Sequence, residues 1–170
     1  MGRRMSRALN LAHLLGTTLQ TAPADGEEGA GLLFALELAD SFITYRSRYR
    51  LNPAIAPVLD LLIVDETNPR SMGFQLAALA AHIDTLPQTG QSGGRTGAQR
   101  TALAMLNDIR LADVARLADT DGSGDRVGLR TLADTNIRRL HELTDALSRR
   151  YFSVVEKEPK WVRARSQTAP

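Results

Sequence analysis

The sequence predicts an all-α protein, an antiparallel bundle of about five to six helices. Leu (25 residues) and Ala (23) dominate the apolar fraction of the 170-residue chain, whereas Val and Ile together number 13. Leu and Ala favour helices and β-branched residues favour strands, so this composition disfavours a sheet protein. Apolar residues also recur at intervals of three and four along most of the chain, which is the period of an amphipathic helix.

Helix-breaking residues divide the periodic pattern into six segments. The first ends before Pro23. The second ends at Tyr49, and Asn52-Pro53 is the stop signal after it, because a residue that precedes proline disfavours the helical conformation. The third is short and apolar enough for a buried helix or a buried strand, and its helical neighbours favour a helix. The fourth has a start signal, with Asn68 as N-cap and Pro69 in the first helical position. Polar, Gly-rich loops at 87–97 and 119–128 precede the fifth and the sixth segment. The six segments are 4–21, 28–49, 54–64, 69–85, 98–118 and 129–155.

Composition excludes several classes of function. The chain has no Cys and three His residues, His13, His82 and His141, which fall on separate segments, so we expect no metal site, no cofactor and no catalytic nucleophile. The net charge of +2 is too small for a nucleic-acid-binding surface. No apolar run reaches the length of a membrane span, and no signal peptide is evident, which predicts a cytoplasmic protein. The stretch from Asp119 begins like a calcium loop, but Arg130 occupies the position that needs a bidentate Glu.

Unusual polar residues concentrate between positions 40 and 71. Tyr45 and Tyr49 lie one helical turn apart and Arg46 and Arg48 flank them, while a helix that starts at Asn68 would present free backbone N–H groups to an anion. Two interpretations remain open. The cluster binds a carboxylate, a phosphate or a partner, or it is structural, with its arginines paired to nearby carboxylates. The residues concerned in that second interpretation are Arg46, Arg48 and Arg70 with Asp40, Asp60 and Asp65.

The same stretch carries a family resemblance. The pattern Asp40-Ser-x-x-Thr-Tyr-Arg-x-Arg-Tyr49, followed by Pro57-Val-Leu-Asp-Leu-Leu and by Asp65-x-x-Asn-Pro-Arg-Ser71, is similar to the alpha-E family of bacterial helical domains. The opening Arg7-Ala-x-Asn10 resembles the Glu-Arg-Ala-x-Asn signature of that family, with Ser6 in place of the Glu, and residues 146–152 fit as well. The resemblance is to the C-terminal half of such domains. It implies a helical bundle over residues 1–155, and we expect residues 156–170 to be a polar, disordered tail.

The resemblance also implies a context. Alpha-E domains are fused or adjacent to circularly permuted ATP-grasp ligases that form amides, and they occur beside transglutaminase-like proteases. These ligases and proteases are therefore the expected partners, and a homo-oligomer is a further expectation. The chain would then be a non-catalytic accessory module that binds a partner or an acidic peptide. The alternatives are an enzyme site completed by a missing N-terminal half and a structural or oligomerisation scaffold. The candidate binding residues are Arg7, Asn10, Tyr45, Arg46, Arg48, Tyr49, Asp65, Asn68, Arg70 and Ser71.

Overall fold

Helices account for most of the chain in the computed structural model, which describes residues 1–23, 28–50, 52–87 and 94–152. A π-helical turn, Asp60–Val64, directly continues the fourth helix. Within the described residues the only β-pairing is an isolated bridge between Thr21 and Asp125, so the all-α expectation is confirmed. Positions 156–170, expected to be a disordered tail, lie outside the described residues. The helices are α1 (Gly2–Thr18), α2 (Gly29–Leu38), α3 (Phe42–Tyr49), α4 (Ile55–Leu59), α5 (Met72–Asp84), α6 (Gly97–Arg110), α7 (Val114–Ala118) and α8 (Val127–Phe152).

Four of these helices form the central bundle. Helix α1 packs against α8 and α5, and α6 packs against α5 and α8. The end of α1 meets the start of α8, where the N–H of Arg126 donates to the carbonyl of Gln20 at 2.6 Å, so these two helices run antiparallel. Their apolar faces meet in one core that includes Leu15, Leu76, Met105, Ile109 and Leu140, all fully buried. No described helix is both long and apolar enough to cross a bilayer.

Two of the six predicted helices are wrong as single helices, because each is two shorter helices. The segment 28–49 is interrupted at Asp40, whose φ of 50° places it in the left-handed region, and it forms α2 and α3. The segment 98–118 is interrupted between Arg110 and Asp113, and Asp113 caps α7 by accepting a hydrogen bond from the N–H of Ala115 at 3.0 Å. Helix periodicity continues across both breaks, so the apolar pattern does not reveal them.

The prediction for the third segment is confirmed, and the predicted start of the fourth segment is wrong. The run 54–64 is helical, as expected, and Pro57 lies in the first turn of α4, where its missing N–H costs no hydrogen bond. The predicted start of the fourth helix at Pro69 is wrong. Helix α5 begins at Met72, and Ser71 is its N-cap, with its hydroxyl accepting from the N–H of Phe74 at 3.0 Å. Residues 68–71 form a turn instead, closed by the N–H of Ser71 donating to the Asn68 carbonyl at 2.9 Å.

Candidate functional site

The break at Asp40 creates one wall of the candidate site. The N–H of Ser41 donates to the Leu36 carbonyl at 2.8 Å and that of Asp40 donates to the Glu37 carbonyl at 2.9 Å. These two bonds form a Schellman motif, with Asp40 in the left-handed position that Gly usually takes. Asp tolerates this conformation better than most residues, because its side chain is short and polar. The carboxylate of Asp40 is 73% exposed and pairs with the guanidinium of Arg70.

The turn from Asn68 to Ser71 holds Arg70 in place. Asn68 is 3% exposed, and its side-chain oxygen accepts from the N–H of Arg70 at 3.1 Å, while its amide donates to the Leu61 carbonyl at 3.1 Å. Ser71 is fully buried, and its hydroxyl donates to the Asp65 carbonyl. The N–H groups of Arg70, Ser71 and Phe74 are therefore all bonded within the protein. These three N–H groups are therefore not free for an anion, and the anion site that the sequence indicates at this helix start stays a prediction.

Arg48 and Asp65 form an ion pair in a small network. Arg48 also donates to the Thr67 hydroxyl at 3.1 Å, and Asp65 accepts from the backbone N–H of Thr67 at 2.8 Å and from its hydroxyl at 2.7 Å. Burial by itself would raise the pKa of Asp65. The hydrogen bonds from Thr67 and Arg48 outweigh it and hold the pKa below its usual value. This arrangement fixes α3 to the loop before α5.

The two tyrosines share one face of α3, as the sequence predicts. Their ring centroids lie 4.9 Å apart. The hydroxyl of the buried Tyr45 accepts from the N–H of Ala54 at 3.2 Å, and that of Tyr49 donates to a carboxylate oxygen of Asp60 at 2.6 Å. Burial and the bond to Asp60 raise the pKa of Tyr49 to about 12. Both hydroxyls are therefore occupied by groups of the protein itself.

A groove of about 370 Å³ runs between α1, the end of α2 and Arg70. Arg7, Asn10 and Arg70 supply polar groups to its wall, and Asp40 lies beside Arg70. Its apolar surface comes from four residues, Leu11, Leu14, Leu38 and Ala39. Leu38 is 58% exposed, and Phe34, one turn earlier on α2, is 53% exposed. The groove therefore combines guanidinium groups with an accessible apolar surface.

Of the ten candidate residues, three line the groove, six bond mainly within the protein, and Arg46 does neither. Arg7, Asn10 and Arg70 line the groove. Arg46 lies 5.9 Å from the ring centroid of Phe42 and is exposed. The pairing alternative holds for Arg48 with Asp65 and for Arg70 with Asp40, whereas Asp60 bonds a tyrosine hydroxyl. The six that bond mainly within the protein are Tyr45, Arg48, Tyr49, Asp65, Asn68 and Ser71.

Sequence reasoning missed Arg126, a nearly buried arginine that joins three helices. It is 3% exposed and donates to the carbonyls of Leu19 at 3.0 Å and Ala118 at 3.2 Å, and its guanidinium also pairs with Glu28. These contacts tie together the ends of α1 and α7 and the start of α2. Its partners lie far apart in sequence, so no local spacing predicts the role.

The calcium-like loop is held together by its own hydrogen bonds, and the histidines lie at the surface. A carboxylate oxygen of Asp121 accepts three bonds from its own loop, from the N–H and hydroxyl of Ser123 and from the N–H of Asp125, at 2.7–2.9 Å. Across the described residues, no three metal-binding side chains come together. All three histidines are exposed.

Comparisons with known proteins identify relatives over most of the chain. A family model named Alpha-E, described as a predicted alpha-helical domain with a conserved ER motif, matches residues 1–152. The uncharacterized proteins Rv2567 of Mycobacterium tuberculosis and Mb2597 of Mycobacterium bovis are each 30% identical over 148 residues. That stretch is 87% of this chain but 16% of each relative, so the chain spans a small part of their length. No solved structure matches.

The sequence contains no Glu-Arg pair, and Ser6 precedes Arg7. The chain nevertheless belongs to the Alpha-E family of helical domains.

Proposed function

We propose that the chain is a non-catalytic accessory module of a ligase system that forms peptide-like amides. In this proposal it binds an acidic peptide segment, of a partner or a substrate, in the groove of Arg7, Asn10 and Arg70. The groove itself is the observation that carries the proposal, since it places guanidinium groups next to accessible apolar surface. The ATP-grasp context of Alpha-E domains supports the link to a ligase. The much greater length of the relatives supports the role of one module among several.

The side chains of the groove suit a carboxylate ligand. Arg7 forms no ion pair with any carboxylate of the described residues, so its guanidinium is available. Arg70 is already oriented by Asp40, and because Asp40 is mostly exposed, an incoming carboxylate competes with it at little cost. Guanidinium groups bind carboxylates through two parallel hydrogen bonds. Asn10 adds an amide donor, and Leu38 offers surface for an apolar neighbour of the acidic residue.

The remaining candidate residues support the site rather than contact the ligand in this proposal. Arg48 is held by Asp65 and Thr67, and Tyr49 is held by Asp60. Both contacts favour the structural alternative for this half of the cluster. They position the loop that carries Arg70, and their loss would disturb the groove only through its shape.

Titration calorimetry tests the proposal directly. The folded chain is titrated with short Asp/Glu-rich peptides and with a circularly permuted ATP-grasp ligase of the type that the Alpha-E context implies. A hydrogen bond to a charged group contributes about 1.5–3 kcal/mol. Arg7→Gln and Arg70→Gln should therefore each weaken binding about tenfold or more. The matched control is Arg46→Gln, an exposed arginine outside the groove, which should leave affinity unchanged.

Two results would overturn the proposal. One is an absence of binding to both the ligase and the peptides by a chain that is folded by circular dichroism. The other is an equal loss of affinity in Arg46→Gln and Arg70→Gln, since this would indicate general charge attraction. Unchanged melting temperatures in all variants are required for the comparison.

A further inference from the structure

A second cleft lies near the start of α1 and shares Arg7 with the groove. It has a volume of about 350 Å³ and is lined by Met1, Arg3, Arg4, Arg7 and His82. The first four come from the start of α1 and the last from the final turn of α5. Arg7 lies at the boundary with the groove, and the other lining residues belong to this cleft alone.

The charges of this cleft are all of one sign. Its lining includes no Asp or Glu, and helix α1 contains no acidic residue. Neither Arg3 nor Arg4 forms an ion pair with a carboxylate in the part of the chain that the structure describes. Arg3 and Arg7 are four residues apart on one helix face, where like charges repel. The fold therefore tolerates an electrostatic cost that a bound anion would relieve.

One of the cationic side chains, Arg4, is held in position by α5. A guanidinium nitrogen of Arg4 donates to the side-chain oxygen of Gln75 at 3.3 Å, and the group lies 5.2 Å from the ring centroid of Phe74. The Nδ1 atom of His82 bonds the carbonyl of Ala78, which fixes the orientation of the ring at the wall of the cleft. The guanidinium of Arg4 is thus positioned at the cleft before any ligand binds.

We propose that this cleft binds a multiply charged phosphoryl anion, as a free pyrophosphate-type ion or as the phosphate group of a nucleotide. Three guanidinium groups supply many N–H donors, which suits an anion with several oxygens and at least two charges. The groove differs because it has a substantial apolar surface, which suits the apolar side chains of a peptide better than an inorganic anion. The site is additional to the proposed peptide-binding function and does not depend on it.

Calorimetric titration at constant ionic strength tests the assignment with pyrophosphate, ADP and malonate as probes. Pyrophosphate should bind about tenfold more tightly than malonate, a dicarboxylate, because it carries more charge and more acceptor oxygens. Arg3→Gln should weaken pyrophosphate binding about tenfold, as expected for the loss of one charge-assisted contact. Arg116→Gln, on the exposed face of α7, is the control and should have no effect. Binding of ADP that is tighter than that of pyrophosphate would assign a nucleotide, and weaker binding would assign a free anion.

The site is refuted if pyrophosphate and malonate bind with equal affinity, or if Arg3→Gln binds pyrophosphate as the parent chain does. The two proposed sites fail independently. Arg3→Gln should retain affinity for acidic peptides, and Arg70→Gln should retain affinity for pyrophosphate, because each residue lines one site only.

Discussion

Replacement of Arg48 by Gln tests whether the polar cluster between α3 and α5 is structural. The substitution removes the ion pair with Asp65 and the bond to the Thr67 hydroxyl at 3.1 Å, while it keeps most of the side-chain length. The backbone and hydroxyl bonds from Thr67 to Asp65 stay in place. The carboxylate would therefore lose its cation but not its local hydrogen bonds.

The expected size of the effect follows from the exposure of the two partners. The side chain of Arg48 is 41% exposed and that of Asp65 is 10% exposed, so the pair is neither fully solvated nor fully buried. Exposed pairs contribute about 0.2–1 kcal/mol, and the loss of one partner of a buried pair costs about 3–5 kcal/mol. After allowance for the solvent around Arg48, we expect a loss of about 1–2 kcal/mol from the free energy of unfolding. For a chain of this size the corresponding fall in melting temperature is about 2–8 °C.

Urea unfolding followed by circular dichroism, at several pH values, measures this effect. The pKa of Asp65 is lower in the folded state than in the unfolded state, so its contribution is full above the unfolded value of about 3.9 and is lost as the pH falls through the folded value. The difference between Arg48→Gln and the parent chain should be constant at pH 5–7 and should shrink below about pH 4. Arg46→Gln, on the same helix, is the matched control. Equal stabilities of the two variants, or a difference that persists unchanged in strong acid, would show that the Arg48–Asp65 pair does not stabilise the fold.

Three further substitutions test other contacts of the fold. Tyr49→Phe removes the hydrogen bond to Asp60 and should cost about 1–2 kcal/mol at neutral pH. Since the pKa of Tyr49 is raised to about 12, the parent chain should also lose stability as the pH rises from about 10 to 12, and ultraviolet absorbance should show one late-titrating tyrosine that the variant lacks. Gly73→Ala places a methyl group 2.7 Å from a backbone carbonyl oxygen and should cost about 1–3 kcal/mol in urea unfolding, whereas Gly97→Ala meets no atom within 4 Å and should change stability by less than about 0.5 kcal/mol. Arg126→Met should cost about 3–5 kcal/mol in the same assay, because it leaves a carboxylate, the buried Leu19 carbonyl and the partly buried Ala118 carbonyl without their donor.

Each of these expectations has a contrary outcome. An identical tyrosine titration in Tyr49→Phe would assign the raised pKa to another residue. Equal stabilities of Gly73→Ala and Gly97→Ala would contradict the close approach of α5 to the π-helical turn. A loss in Arg126→Met no larger than that in Arg138→Met, which removes an exposed pair on α8, would contradict a structural role for the buried guanidinium.

The helical fold could be predicted from sequence because apolar periodicity and composition report directly on amphipathic helices. The bend at Asp40 could not, since the apolar period continues through it and the left-handed conformation rests on two backbone hydrogen bonds. At the start of α5, Asn68 and Ser71 are both good N-caps in isolation. Tertiary contacts decide between them, because the Asn68 amide bonds the Leu61 carbonyl and so belongs to the turn.

The candidate site was predicted in part. The sequence indicates that Arg48 and Arg70 are concentrated near carboxylates, and the structure supplies their partners, Asp65 and Asp40. The groove that joins Arg7 to Arg70 could not be located, because its two walls are separated by more than sixty residues and meet only when α1 packs on α5. Arg126 gave no sequence signal for the same reason.

The central claim is that the groove, and not the Arg48–Asp65 cluster, binds an acidic peptide. Nuclear magnetic resonance of the isotopically labelled chain, titrated with an Asp/Glu-rich hexapeptide, tests it residue by residue. Binding in the groove should give the largest shifts at the side-chain amide of Asn10 and the methyl groups of Leu38, with little change at the backbone amide of Thr67 beside Asp65. Shifts concentrated at Thr67, or no shifts at Asn10 and Leu38 at saturating peptide, would contradict it.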